Sequence, residues 1–462
     1  MRYPRRLLMW LVPIALAACG DHDDYYFPVY GPPPPGTYAN VQVVNGSPDA
    51  PPIDLQIDGT TFIRKLDYGQ GTAEQSITPT SHSLVVQIET PGGPTAVVGP
   101  TTLDAAANMD YVVAVEGNVP VGGVTPTNGI TAVVFPHQLA VVPGDSTQIQ
   151  VLNAAVGSPL YVYLTAPGAD LTASAPLGLA PFEGSIGPTQ VTAGAWEIRI
   201  TQSSGASAPV LYDSGTITLE GGTDLVISIL TSTLQPSTAT LQLAAVDAQG
   251  NSTWLPAVGT PAFLRVVHDS PDAPALAVLA NSNVTTPLVA TLAYEASTAY
   301  LSETAGEYDL AITPASNLSD VLANQPLKLS AGSAHSLYAM GPLAQLFPFV
   351  TQDNNRRYAD LARLRFIQGA PSANRVDVYL TAPGAGITNA MPTYSGLPFT
   401  ADTGFVSYSQ GSYDLTVTGA GSKTPIMGPV AVALQNNGIY TAVGRDAPGG
   451  GAPFGLISLD DL

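Results

Sequence analysis

One cysteine, Cys19, serves all 462 residues, so no disulfide framework can staple this chain and its stability must come from apolar cores. Positive charge is also scarce. The chain carries 15 Lys and Arg against 35 Asp and Glu, a formal net charge of −20. That balance argues against electrostatic binding of nucleic acid or of anionic lipid surfaces. Catalytic groupings are missing too. The five histidines (His22, His82, His137, His268 and His335) fall in unrelated contexts, with no His-x-x-x-His pair. No Gly-x-Ser-x-Gly elbow, phosphate loop, dinucleotide fingerprint or paired cysteine motif occurs. The expectation is a protein that is not an enzyme and needs no cofactor.

What is present begins at the amino terminus. Arg2, Arg5 and Arg6 precede an apolar run from Leu7 to Leu16, then the small residues Ala17 and Ala18, then Cys19. The run is shorter than the roughly 20 residues that a bilayer core demands, so it reads as a processed export segment. Leu16-Ala17-Ala18-Cys19 resembles the lipobox of bacterial lipoproteins. The resemblance implies that Cys19 is acylated and becomes the mature amino terminus. Two or more acyl chains hold a protein firmly, at about 0.8 kcal/mol per buried methylene. Losing the three arginines with residues 1–18 takes the formal charge from −20 to −23. Gly20 rather than aspartate follows the cysteine, which under the same resemblance favours the outer membrane. Residues 19–36 hold Asp21, Asp23 and Asp24, three tyrosines and the Pro32–Pro35 run, and are expected to form a stiff tether.

Beyond Gly36 the chain repeats itself. Val41-Gln-Val-Val-Asn45 finds counterparts in Ile149-Gln-Val-Leu-Asn153, Leu264-Arg-Val-Val-His268 and Leu364-Arg-Phe-Ile-Gln368. The last residues of these segments lie 108, 115 and 100 positions apart, a domain-sized spacing rather than a solenoid turn of roughly 20–50 residues. Mid-unit runs such as Ser83–Ile88, Ala195–Ile200, Glu307–Ile312 and Ser412–Val417 alternate apolar and polar residues with period two, as strands with one buried face do. Closing runs are read at Leu139–Val142, Leu241–Ala245, Phe347–Val350 and Leu456–Leu459. With 45 glycines and 42 prolines between the runs, the fold expected is all-β. It comprises four tandem antiparallel, immunoglobulin-like β-sandwich domains of about seven strands each, strung like beads. The predicted domains are 37–143, 144–259 (degenerate), 260–357 and 358–462.

Val266-Val-His-Asp-Ser-Pro-Asp-Ala-Pro274, with the later Ala305-Gly-Glu-Tyr-Asp-Leu310, resembles the bacterial domain of unknown function 4397. The resemblance implies an exported, often anchored, frequently tandem protein, that is a fold and an address, and does not point to an activity. Its signature turn is Ser47-Pro48-Asp49 in the first copy and Ser270-Pro271-Asp272 in the third. Read physically, the prolines fix φ while the serines and aspartates bond nearby backbone. Asp49 with Asp54 is a weak calcium candidate, because calcium wants roughly six to eight oxygen ligands, and no metal is otherwise expected. Tyr163 and Tyr379, each before Thr-Ala-Pro-Gly-Ala, are the candidates for surface contact with a ligand. The function expected is a lipid-anchored, non-enzymatic envelope protein acting as spacer and interaction module, with an envelope protein or glycan as partner. A carbohydrate- or peptide-binding lipoprotein is the alternative, followed by an envelope hydrolase.

Overall fold

Turn-rich, alternating sequence produces strands almost everywhere. The computed structural model describes residues 38–204 and 209–460. The export segment, Cys19 and the 19–36 tether lie outside the described residues. Within them are 33 strands and three single turns of 3-10 helix. Repeat 1 places its strands at Ala39–Asn45, Ile53–Ile57, Thr60–Leu66, Gln75–Ile77, Ser81–Ile88, Thr95–Asp104, Met109–Glu116 and Thr131–Gln138. One sheet orders them fourth-first-seventh-eighth and the other third-second-fifth-sixth. The remaining repeats start at Ser146, Ala262 and Ala362 and keep the same two orders, repeat 2 adding a ninth strand at Ser252–Leu255. The protein is an all-β chain of four sandwiches.

Each sandwich closes over its own core. In repeat 1, Val41 and Val43 of the first strand meet Leu55, Leu84 and Val86 of the facing sheet, alongside Tyr111 and Val113. Pairing is antiparallel throughout, except that the first strand of every repeat runs parallel to the seventh. Eight or nine strands form rather than about seven, because short fourth strands such as Gln75–Ile77 add to the edge of the first sheet. Leu139–Val142 is not the closing strand of repeat 1. That strand is Thr131–Gln138, and the later run is an exposed linker.

The beads-on-a-string arrangement does not hold. First strands are buried along nearly their whole length, on both faces. Val44, Val112 and Ala114 of repeat 1 pack on Leu152, Val226 and Val246 of repeat 2. Val267, Tyr338 and Met340 of repeat 3 pack on Ile367, Val443, Ile457 and Leu459 of repeat 4. Each pair of repeats is therefore four sheets deep, with the two first-strand sheets back to back in the middle. A strap between repeats 3 and 4 ties the pairs together. Arg356 in this strap donates from Nη1 to the Ala50 carbonyl and pairs through Nη2 with Asp67. Ala359 N–H reaches the Asp49 carbonyl at 2.9 Å.

Candidate functional site

At or beside the end of each first strand stands a residue whose side chain bridges to a backbone carbonyl of its own repeat. Asn45 Nδ2 donates to the Leu66 carbonyl at 2.9 Å, and Asn153 Nδ2 to the Ala180 carbonyl at 3.0 Å. His268 Nε2 lies 3.0 Å from the Pro274 carbonyl, and Gln368 Nε2 donates to the Ala370 and Asn374 carbonyls. Asparagine, histidine and glutamine interchange here because all present an N–H at a strand end.

The Ser-Pro-Asp turn follows at once. Ser47 Oγ donates to the Gly117 carbonyl and Ser270 Oγ to the Gly341 carbonyl, both at 2.6 Å. Asp49 Oδ1 accepts the Val119 N–H at 3.0 Å, and Asp272 Oδ1 the Leu343 N–H at 2.7 Å. These backbone groups belong to the turn after the seventh strand, about 70 residues away, and not to the local chain as expected. Repeat 4 has Ser372 at the aspartate position, and its hydroxyl donates instead to Asp446 Oδ2 at 2.6 Å. The turn is thus a clasp between the first and seventh strands. Removing the hydroxyl strands a buried carbonyl, so Ser47→Ala and Ser270→Ala should each lower unfolding free energy by about 1–3 kcal/mol in chemical denaturation.

The clasps sit where two repeats meet. A Cβ on Gly46 would stand 2.5 Å from the Ala154 side chain of repeat 2. One on Gly369 would stand 1.9 Å from Asp269 Oδ2 of repeat 3. Gly449 N–H donates across to the Pro271 carbonyl at 2.7 Å, and Tyr294 Oη to the Asp446 carbonyl.

The centre of each joint carries the polar residue that interrupts the first strand. In the second pair these are Arg265 and Arg365, 3% and 2% exposed. Both approach Asp353, with Arg365 Nη1 at 2.8 Å from Oδ1 and Arg265 Nη2 at 3.9 Å from Oδ2. Tyr300, Ser336 and Thr351 hydroxyls donate to the same carboxylate. In the first pair the corresponding residues are Gln42 and Gln150, and the acids around them have no arginine. Asn40, Gln42, Glu74, Asp110, His137 and Asp224 line a cavity of about 10 Å³, room for one water-sized sphere. Burial, with Asp110 and Asp224 nearby, pushes the Glu74 carboxyl up to about 7. Burial also lifts Asp110 and Asp224 above the usual carboxylate range. At the rim of that joint Glu116 is fully buried with neither carboxylate oxygen bonded, and burial raises it to about 8.

The other candidates resolve differently. Tyr163 and Tyr379 are buried, 2% and 1% exposed, which corrects the expectation of surface contact. Both lie in second strands, packed inside the fold rather than presented by a loop. Asp54 Oδ1 accepts the Lys65 N–H at 2.8 Å, so it and Asp49 each serve a separate backbone amide. No group of three or more His, Cys, Asp or Glu among the described residues is arranged to hold a metal ion. His82 does form a dyad with Asp58, Nδ1 to Oδ2 at 2.7 Å. Its Nε2 faces the Thr78 carbonyl at 2.8 Å, so both nitrogens are placed as donors. Burial opposes the charge, but these two acceptors outweigh it and hold His82 above the ordinary histidine range. An imidazole held in this way has no lone pair free to act as a base.

Sequence reasoning missed the joints. The available signal was two adjacent apolar residues in each first strand, such as Val43-Val44 and Val266-Val267, which mark a strand buried on both faces.

No curated protein matches the chain. Among solved structures, CBMbc (family CBM26) from Eubacterium rectale Amy13K in complex with maltoheptaose is similar over 41% of this chain and 91% of that one. The identity is 12% and the TM-score 0.13, too low a likeness to carry an argument. A family model for the domain of unknown function DUF4397 matches residues 39–163 and 262–379. Each match covers the first repeat of a pair and runs into the second strand of the next repeat, ending at Tyr163 and Tyr379. These stretches make up more than half of the sequence, and the chain belongs to the DUF4397 family.

Proposed function

We propose that this chain is a non-catalytic, lipid-anchored envelope protein that holds four packed sandwiches at a set distance from a membrane as spacer and interaction scaffold. The observation that carries the reading is the use of the Ser-Pro-Asp turns. Their hydroxyls and carboxylates are engaged by the backbone of the seventh-strand turn, which closes the fold beside the joints. Much of the scarce positive charge is internal as well. Arg199, Arg265, Arg356, Arg363 and Arg365 are all buried, and although acids such as Asp110, Glu116 and Asp353 are buried too, the acidic excess of the composition remains on the exterior and suits a basic or neutral partner. In this reading acylated Cys19 supplies the outer-membrane contact and residues 19–36 the stand-off.

Labelling cells with a clickable fatty acid should tag the wild-type protein, and Cys19→Ala should lose the tag and leave the membrane fraction. Cross-linking in intact cells followed by affinity capture should retain an envelope protein or glycan reproducibly. Specific retention on a polysaccharide column would favour the carbohydrate-binding alternative. Turnover of any ester, peptide or glycoside in a broad panel would overturn the non-catalytic assignment.

A further inference from the structure

The two joints are built on the same strands but neutralise their charge differently. In the joint of repeats 3 and 4, two guanidinium groups enclose Asp353, and Asp402 lies 3.7 Å from Arg365. In the joint of repeats 1 and 2 glutamines replace both arginines, and no Lys or Arg lines the cavity where the acids meet. Glu74 comes from the turn before the fourth strand, Asp110 from the seventh strand and His137 from the eighth, while Asp224 comes from the seventh strand of repeat 2. Glu116 faces repeat 2 at the rim, with Glu183 nearby. The amides satisfy one oxygen of each aspartate, Asn40 to Asp110 Oδ1 at 2.9 Å and Gln148 to Asp224 Oδ2 at 2.6 Å. The His137 side chain is 9% exposed, neither ring nitrogen has a hydrogen-bond partner, and Nε2 lies 3.8 Å from Asp110 Oδ2.

We propose that the joint between repeats 1 and 2 is a proton-operated latch, closed when Glu74, Asp110, Asp224 and Glu116 are neutral and loosened as they ionise. Carboxylates gathered in a buried or half-buried joint with only His137 to offset them favour their protonated forms, and opening the joint returns the charge to water. The sign follows from linkage. Glu74 and Glu116 sit at about 7 and about 8 in the closed joint, against 4.5 when exposed, so the closed state holds more protons. Its advantage is complete below about pH 4.5 and declines until about pH 8. The second joint has two comparable groups: Asp269, fully buried and raised by burial and by Asp446 and Glu295, and Asp402, raised by burial but opposed by Arg365 beside it. Arg445 opposes the rise at Asp269, and the arginine block holds the centre. It should respond less.

Hydrogen exchange on the full chain in detergent micelles tests this, because backbone bonds cross both joints. Glu74 N–H donates to the Ala248 carbonyl in the first joint, and Gly449 N–H to the Pro271 carbonyl in the second. After correction for intrinsic rates, protection at residues 73–74 should fall at least tenfold more than at Gly449 between pH 5.5 and 8.5. The combined variant Glu74→Gln, Asp110→Asn, Asp224→Asn should flatten that response, and Glu116→Gln alone should reduce it. An equal response at both joints would overturn the latch, as would a pH dependence that survives both variants. Full protection restored at pH 8.5 by Zn²⁺ or Ca²⁺ would also overturn it, by making the neutralising species a metal ion.

Discussion

Asp353→Ala is expected to destabilise the second pair of repeats by about 3–5 kcal/mol, the cost of removing one side of a buried ion pair. The Asp353 side chain is fully buried and accepts from Ser336, Thr351 and Tyr300 while facing Arg265 and Arg365. Without it two guanidinium groups remain enclosed near one another, and the hydroxyls lose an acceptor. Because Asp353 belongs to repeat 3 and Arg365 to repeat 4, the loss should appear in the unfolding of both. Replacing the whole block with apolar residues of similar size (Arg265→Met, Arg365→Met and Asp353→Leu) should recover most of the stability, since a buried pair contributes little net energy beyond what packing supplies. Urea denaturation followed by hydrogen exchange would check both halves. A drop confined to repeat 3 would mean that the joint does not couple the two sandwiches.

Exchanging sizes across a clasp is the second large effect. Gly46→Ala puts a Cβ where the Ala154 methyl already stands, and should cost about 1–3 kcal/mol through overpacking. Adding Ala154→Gly removes that methyl and should restore most of the loss, apart from the backbone entropy of the new glycine. Gly369→Val in the other joint has no complete rescue, because one of its clashes is with backbone. Its Cβ would meet Asp269 Oδ2 of repeat 3 at 1.9 Å and the Gly444 carbonyl of its own repeat at 2.6 Å, so the Asp269 carboxylate must swing aside and the first and seventh strands of repeat 4 must part. Denaturation midpoints of the single and double variants of the first clasp give the coupling directly. Additivity there would place Gly46 and Ala154 out of contact.

Strand periodicity made the sandwiches legible. Ser83–Ile88 and its three counterparts alternate cleanly and form fifth strands in every repeat. The joints were harder to read because one residue misleads. Gln42, Gln150, Arg265 and Arg365 look like the solvent-facing position of a half-buried strand, yet each is buried between two sheets. The partners of such a residue are distant in sequence, and for Gln42 and Arg365 they include groups of the neighbouring repeat. Gln42, for instance, donates to the Asp247 carbonyl, 205 residues away. The clasp was half legible. Serine and aspartate do satisfy backbone groups, but the choice of those on the seventh-strand turn depends on the parallel pairing of first and seventh strands, which no local pattern encodes. Tyr163 and Tyr379 misled for a related reason. Their nearness to the Thr-Ala-Pro-Gly-Ala turn suggested a loop, whereas the strand continues through both.

The account rests on repeats that are locked face to face. Spin labels at Gly92→Cys in repeat 1 and Thr172→Cys in repeat 2, both exposed sites outside the joint, report it most directly through pulsed electron resonance at pH 5.5. A single narrow distance distribution is predicted. A broad distribution spanning tens of ångströms, as flexibly linked domains would give, would contradict it.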